Sequence, residues 1–297
     1  MEINKILVPI DFSSFSDKAL EFALEIAERF KSNLALLHAV VLFRDDINEE
    51  QQLQEYEEWL KMHESRLTSH MHINKKKAAK REIEVETHIL RGISPADVIL
   101  DFLNDHNFDL IVMGTHGRTG LKHLFQGSVA EKIVRLSPVP VLAVHRSVTK
   151  FQVQKILVPI DFSSYSKEAT DYAIAIAQNL NAQIDFIHVI EQEIHPSFYA
   201  SGIKSIFQID KGLKDRVIYN MKDFLADQIS PDIQVNFLVR EGRAHKEIVD
   251  YSKENNSNII VIATHGLTGL DYILLGSTTE KVIRWANCPV LTIKRKS

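Results

Sequence analysis

Cysteine and long apolar stretches are nearly absent from the 297-residue sequence, and each absence excludes a class of protein. Because Cys288 is the only cysteine, no disulfide can form within the chain, which fits a reducing compartment. Its place beside an apolar run favours a small core residue over a nucleophile. The longest apolar region, LALLHAVVLF, is too short to span a bilayer, and the N-terminus lacks a basic leader with a cleavage site. These features predict a cytoplasmic protein.

The chain also lacks an excess of charge of one sign. It has 35 lysine and arginine residues against 39 aspartate and glutamate residues, which gives a net charge of −4. This balance provides no general attraction to nucleic acid or to an anionic membrane, so we expect neither as a partner. A local basic cluster is typical of a solvated helix end; it consists of Lys75, Lys76, Lys77, Lys80 and Arg81.

Several signatures of nucleotide, hydrolase and metal chemistry are missing. The sequence contains no G-x-x-x-x-G-K-[ST] P-loop, no G-x-G-x-x-G dinucleotide fingerprint and no G-x-S-x-G nucleophile elbow. His63, His70 and His72 lie close together, but no cysteine or carboxylate set completes a recognised ligand spacing. We therefore predict no metal site.

A long internal repeat is the main feature that the sequence does contain. KILVPIDFSSFS at residues 5–16 returns as KILVPIDFSSYS at residues 155–166, with one difference in twelve positions. GTHGRTG, GSVAEKIVR and PVLAV return as ATHGLTG, GSTTEKVIR and PVLTI. A repeat of about 150 residues is too long for a solenoid unit and has the size of a domain. The sequence thus predicts two duplicated domains, residues 1–148 and 149–297.

Each half shows the same alternation of strands and helices. KILVPI is a short apolar run typical of a buried strand, and the cap-rich DFSSFS precedes an amphipathic helix. Four further strand patterns follow, with helical patterns between them, and the long charged segment at residues 45–80 is predicted to be mostly helix. This alternation predicts an open five-stranded parallel sheet with helices on both faces. The VPIDFSS and THG motifs follow strands, so they lie at the edge where open sheets bind ligands.

The strongest motif is a glycine-rich loop between the fourth strand and the next helix. Gly114, Gly117 and Gly127 let backbone amides approach an anion, and Ser128 opens a helix whose free amides favour negative charge. Phosphate is the obvious ligand. A capping role is an equal alternative, because Ser128 and its counterpart Ser277 each stand three residues before a glutamate, as in a capping box.

These motifs together resemble the universal stress protein family. The resemblance rests on Val-Pro-hydrophobic-Asp at the first strand and on Gly-2x-Gly-9x-Gly-Ser, and it covers nearly the whole chain twice. It implies two Rossmann-like domains of the adenine nucleotide alpha hydrolase-like kind, and family members with this glycine motif bind ATP. Carried over by position, the nucleotide contacts of the first domain fall on Pro9, Asp11, Val40, Gly114, Gly117, Gly127, Ser128 and Val129. Capping of the first helix is the alternative role of Asp11.

The resemblance also places a site in the second domain, with two departures from the family pattern. Its residues are Pro159, Asp161, Val189, Ala263, Gly266, Gly276, Ser277 and Thr278. Ala263 replaces the first glycine and is expected to put a methyl group near the phosphate, whereas Thr278 is a minor change. The loop RTGLKHLFQ becomes LTGLDYILL, which removes the cations Arg118 and Lys122 and adds Asp271. We therefore expect the first site to bind ATP more tightly.

The resemblance implies a stress-response protein for which ATP, with or without magnesium, is a regulatory ligand. The alternatives are a slow ATPase or nucleotide hydrolase, and a signalling scaffold with a vestigial second site. Hydrolysis needs a group that orients water and groups that neutralise developing charge. No catalytic base is evident beyond His116, so binding is favoured over turnover. His116 and His265 lie in the two glycine loops, where packing or hydrogen bonding is the expected role.

The fifth strands, VPVLAVH and CPVLTIK, predict how the two halves are related. Proteins of this family often pair through this strand, and an unpaired apolar edge strand promotes aggregation. We predict that the two strands pair within the chain as a pseudo-dimer; a homodimer of the whole chain stays an open alternative. The isolated first half, ending near Ser147, should then self-associate in analytical ultracentrifugation. A monomer at high concentration contradicts the pairing.

Overall fold

The structure is a computed structural model that describes residues 2–41, 50–115, 128–145, 152–191, 205–265 and 275–294. The chain divides into two compact units, Glu2–Arg146 and Ser147–Ser297. Each unit contains five parallel strands, with helices between them, as the repeat predicts.

The first unit alternates strands and helices in the expected order. Its elements are β1 (Lys5–Pro9), α1 (Ser14–Phe30), β2 (Asn33–Val41), α2 (Glu50–Ala79), β3 (Val85–Gly92), α3 (Pro95–Asp105), β4 (Leu110–Gly114), α4 (Ser128–Leu136) and β5 (Val141–Val144). The strands lie in the order β3-β2-β1-β4-β5, and all neighbours are parallel. The strand order therefore reverses between β1 and β4, which is where open sheets bind ligands.

The second unit repeats this topology. Its elements are β6 (Lys155–Pro159), α5 (Ser164–Leu180), β7 (Gln183–Ile190), α6 (Ile206–Ile209), α7 (Leu213–Phe224), β8 (Val235–Glu241), α8 (Ala244–Glu254), β9 (Ile259–Ala263), α9 (Ser277–Trp285) and β10 (Val290–Ile293). The order β8-β7-β6-β9-β10 places the reversal between β6 and β9. The predicted fold class is confirmed: both units are Rossmann-like, with parallel five-stranded sheets.

The repeated first strands form the centre of each unit. Ile6, Leu7 and Val8 of β1 are fully buried, and so are their counterparts in β6. A strand buried on both faces has to be apolar without alternation, which is why KILVP is written the same way twice. The first strand of each unit thus positions the residues that follow Pro9 and Pro159.

The connection between the second and third strands differs between the units. In the first unit it contains the 30-residue helix α2, and in the second it contains the shorter α6 and α7. The basic cluster lies at the end of α2, as predicted, and its lysines are exposed. Arg81 Nη2 and Lys77 Nζ lie 3.2 and 3.7 Å from the carboxylate of Glu21 on α1, which partly neutralises the cluster.

Two expectations from composition concern the role of Cys288 and the presence of membrane-spanning helices. Cys288 is 5% exposed, and burial raises the pKa of its thiol to about 12, so the expected core role fits and a nucleophilic role does not. Among the described helices, none has the length and apolar character needed to cross a membrane.

The second unit contains a buried carboxylate that the first unit lacks. Asp185 of β7 is 1% exposed and takes the register position that Ala35 has in β2. The Tyr251 hydroxyl donates to Asp185 Oδ2 over 2.9 Å, and Asn236 Nδ2 donates to Oδ1 over 2.8 Å. Burial and this hydrogen bond raise the pKa of Tyr251. A buried acid is stable only with such donors, so the network is a structural element of the unit.

We predict that Tyr251→Phe lowers the free energy of unfolding by about 1–3 kcal/mol, because it leaves a buried carboxylate with one donor fewer. Denaturant unfolding of the full chain measures the change. Tyr219→Phe is the matched control, because that side chain is 70% exposed. Equal stability of the two variants contradicts a role for the hydroxyl.

Candidate functional site

A cavity of about 380 Å³ lies at the carboxyl ends of the strands in the second unit. It opens beside β6, β7 and β9 and is closed by the first residues of α8 and α9. Seven of the eight residues predicted for the second site line it: Pro159, Asp161, Val189, Ala263, Gly276, Ser277 and Thr278. The eighth, Gly266, lies outside the described residues. The sequence motif and the cavity therefore coincide.

The turn after β6 holds Asp161 at the cavity. Asp161 Oδ1 accepts hydrogen bonds from the Ser163 amide at 3.0 Å and from the Ser163 hydroxyl at 2.6 Å. Ser163 is the N-cap of α5, and its Oγ accepts from the Ser166 amide at 3.1 Å. Asp161 thus orders the turn, whereas a serine caps the helix, so the capping alternative applies to the neighbour and not to the aspartate.

The first unit builds the same turn. Asp11 Oδ1 accepts from the Ser13 amide at 3.0 Å, and Ser13 Oγ accepts from the Ser16 amide at 3.2 Å. Between aspartate and serine, Phe12 and Phe162 have φ values of 60° and 62°. This left-handed conformation is unfavourable for a bulky side chain and is common at ligand sites. Both units therefore retain the same strained residue at the same place.

A histidine supports this turn in each unit, and the sequence analysis did not identify it. His188 Nδ1 donates to the carbonyl oxygen of Ile160 at 2.7 Å, and its ring lies 4.9 Å from the Phe162 ring. His38 Nδ1 makes the same bond to Ile10, at 2.6 Å. Because a carbonyl only accepts, Nδ1 carries the hydrogen in both residues. The repeat of LHAV as IHVI, 150 residues apart, was the available signal.

The start of α9 corrects one alternative from the sequence. Gly276 is the N-cap, and Ser277 is the first helical residue, exposed and on the cavity wall. The capping-box interpretation of Ser277 with Glu280 is therefore wrong; Glu280 instead lies 2.9 Å from Arg284 Nη2. The first backbone amides of α9 lie at the end of the helix that borders the cavity, and no side chain caps them. Free amides at the N-terminus of a helix favour binding of an anion.

His265 also lines the cavity. Its Nδ1 lies 2.9 Å from Thr264 Oγ1, and its ring lies 5.7 Å from that of Tyr165. Burial, with a smaller effect of Lys294, lowers the pKa of His265, so the ring is neutral near pH 7. These contacts agree with the expected packing and hydrogen-bonding role.

The described part of the first unit brings together the matching residues. Pro9 and Asp11 follow β1, Val40 ends β2, Gly114 ends β4, and α4 begins with Ser128 and Val129. Gly117, Gly127 and His116 lie outside the described residues. Val40 is 5% exposed and packs with Leu67 of α2. The register of the strands corrects its expected counterpart, because Val40 of β2 corresponds to Ile190 of β7, and Val189 on the wall of the second cavity corresponds to Ala39.

Gly114 makes a close packing contact that the sequence did not indicate. A Cβ at this position would lie 3.0 Å from the carbonyl carbon, oxygen and Cβ of Phe15 in α1, so the missing side chain makes room for this helix. The approach of a phosphate to Gly114 stays a prediction, and so does the weaker binding expected from the methyl group of Ala263, which lines the second cavity.

Of the three histidines at residues 63, 70 and 72, the side chain of His63 lies outside the described part of the structure. Among the described residues, no group of three or more histidine, cysteine, aspartate or glutamate side chains could hold a metal ion. His70 instead makes an edge-to-face contact with Phe12, at 5.2 Å between ring centres.

Comparison with known proteins identifies the family. The family model described as universal stress protein family matches residues 2–145 and 152–294. The universal stress protein E homolog of Haemophilus influenzae is 28% identical over 99% of this chain and 98% of its own. Universal stress protein YxiE of Bacillus subtilis is 33% identical over 47% of this chain and 98% of its own.

A solved structure agrees with the fold over nearly the whole chain. A universal stress protein from Archaeoglobus fulgidus has a TM-score of 0.68 at 23% identity, covering 98% of this chain and 96% of its own. A universal stress protein in complex with cAMP has a TM-score of 0.34 at 20% identity, covering 48% of this chain and 98% of its own. With two family matches that together cover nearly all of its length, the chain belongs to the universal stress protein family and carries two family domains in tandem.

Proposed function

We propose that this protein is a stress-response protein that binds ATP as a regulatory ligand, with one site at the strand ends of each unit. The observation that carries the proposal is the cavity of the second unit. Its volume of about 380 Å³ is within the range of small-molecule sites, roughly 300–1,000 Å³. It is lined by the residues to which the family resemblance assigns nucleotide contacts.

The chemistry of the cavity suits a nucleotide. The Asp161 carboxylate is held by Ser163 and offers acceptor positions to ribose hydroxyls or to an adenine amino group. Ile187 and Val189 provide apolar surface for a base. The amides of Ser277 and Thr278 start α9, where the helix dipole stabilises phosphate. One wall thus favours the nucleoside and the other favours its phosphates.

The described residues of the cavity favour binding of ATP over its hydrolysis. Hydrolysis requires a group that activates water next to the phosphates and cations that stabilise the leaving charge. His265 is the described histidine nearest to the glycine loop in sequence; its Nδ1 is engaged by Thr264, and its Nε2 has no partner among the described residues. The second requirement decides the preference, because none of the described residues that line the cavity is a lysine or an arginine. We therefore favour binding over hydrolysis; sustained phosphate release from ATP by the pure protein would support the ATPase alternative.

A charge added at the start of α4 and α9 tests ATP binding. Ser128→Asp and Ser277→Asp each put a carboxylate where phosphate is proposed to bind, while an acidic first residue stabilises a helix. We expect each variant to lose one ATP site in calorimetry and the double variant to lose both. Ser128→Ala and Ser277→Ala are the matched controls. Parent affinity and stoichiometry in the double variant would contradict the proposal, and mass spectrometry of co-purified ligand gives a second test.

The first site is predicted to bind ATP more tightly, because Ala263 replaces Gly114 and because the loop charges differ. The first loop carries Arg118 and Lys122, where the second has Leu267 and Asp271. Exposed charge pairs contribute about 0–1 kcal/mol each, so the charge changes amount to at most roughly 3 kcal/mol, of which about 1.4 kcal/mol suffices for a tenfold difference in affinity. The Ser277→Asp protein should therefore bind ATP about tenfold more tightly than the Ser128→Asp protein, with a smaller difference in high salt. Equal affinities contradict the prediction.

A further inference from the structure

The region where α3 meets α4 in the first unit is electrically balanced. Lys132 Nζ of α4 lies 2.5 Å from Asp97 Oδ1 of α3. The hydrogen bond from Lys132 lowers the pKa of Asp97, which keeps this carboxylate charged. The residue before α3 is the uncharged Ser94. The lysine is therefore engaged by an acid of the neighbouring helix.

The corresponding region of the second unit carries only cations at these positions. Arg243 precedes α8 where Ser94 precedes α3, Lys246 replaces Asp97, and Lys281 of α9 corresponds to Lys132. Among the residues that the structure describes, neither Arg243 nor Lys281 forms an ion pair. Replacing one acid and one serine has thus left two unpaired cations on adjoining helices.

Arg243 and Lys281 both flank the wall of the second cavity. Arg243 directly precedes Ala244, which lines the cavity, and Lys281 stands one turn after Ser277, which also lines it. Helical side chains lean toward the N-terminus of their helix, so Lys281 leans toward Ser277 and the cavity. Lys246 is exposed on α8 and is not among the residues on the cavity wall.

The packing of α8 against α9 brings the helices that carry the two cations together, and the environment of His245 agrees with this. Burial lowers the pKa of His245, and Lys281 and Arg243 lower it further by repulsion. Glu191 opposes them; its Oε1 accepts from the Ala244 amide at 2.5 Å. Since α8 packs against α9, charges from both helices converge at this part of the rim.

We propose that Arg243 and Lys281 form a phosphate-recognising pair at the rim of the second cavity, beside the wall residues Ala244 and Ser277. The inference rests on the proposed nucleotide site and assigns the source of its positive charge. The loop sequence of the first unit contains Arg118 and Lys122, which the second loop lacks, so the proposed pair offsets part of this difference in charge. The two sites therefore bind the same class of ligand, an adenine nucleotide, with cations from different parts of the domain. Adenosine, which has no phosphate, does not use the pair.

The experiment uses the full chain with Ser128→Asp, so that only the second site binds. Arg243→Gln and Lys281→Gln are made singly and together, with Lys246→Gln as the matched control. Lys246 is an exposed cation of α8 whose neighbours in sequence, His245 and Glu247, do not line the cavity, whereas Arg243 adjoins the wall residue Ala244. Calorimetry measures ATP, cAMP and adenosine at low and high salt. We expect the double variant to bind ATP about three- to tenfold more weakly, less so in high salt. Adenosine affinity should change by less than about twofold, as expected for a ligand without charge.

The outcomes separate this inference from the function on which it rests. If the double variant binds ATP and adenosine as tightly as the Ser128→Asp protein, the phosphate pair is overturned and the nucleotide site stays in place. The same holds if Lys246→Gln weakens ATP binding as much as the double variant does. An equal loss of ATP and adenosine also overturns it, because the side chains then act on the shape of the cavity. If neither ligand binds at the second site of the Ser128→Asp protein or of the parent, both proposals fail.

Discussion

The turn after the first strand of each unit is the constraint on which the rest of the site depends. In both units an aspartate carboxylate accepts a hydrogen bond from the backbone amide of the serine two residues later, at 3.0 Å. The phenylalanine between them has a left-handed backbone conformation, with φ of 60° or 62°. This turn ends the central strand, presents the aspartate at the sheet edge and leaves Ser13 or Ser163 to start the helix. The hydrogen bond from His38 to the carbonyl oxygen of Ile10, or from His188 to that of Ile160, offsets the strain at the phenylalanine.

The fold could be predicted from the sequence because its signals are local or repeated. Buried parallel strands have to be continuous apolar runs, and a duplicated motif shows which runs are equivalent. The details that were missed depend on neighbours distant in sequence. Gly114 is a glycine because α1 passes 3.0 Å from the position of its Cβ, and spacing within a loop does not reveal that contact. Ser277 looks like a cap, but the helix begins one residue earlier than a capping box requires.

The sequence predicted only part of the candidate site, because only some of its residues belong to repeated motifs. Residues in the repeated motifs lie together on the second cavity, whereas His188 and Ala244 reach it from segments without a recognised motif. Charge is the least predictable property, because it depends on which helices meet. Loop sequences alone indicate that the second site has lost its cations, yet the packing of α8 against α9 brings Arg243 and Lys281 to the same rim.

The two units therefore preserve geometry and differ in charge. The turn, its histidine and the serine cap have nearly the same distances in both, so the aspartate has the same local setting in each unit. A phosphate can be neutralised from any direction within a few ångströms, because Coulomb attraction is not directional in the way that a hydrogen bond is. Cations can thus move from a loop to a helix pair without altering the site, whereas the aspartate turn cannot move. Duplication of one domain has thus preserved the turn after the first strand in both units, and under the proposed function the two sites differ in how their affinities respond to phosphate number and to salt.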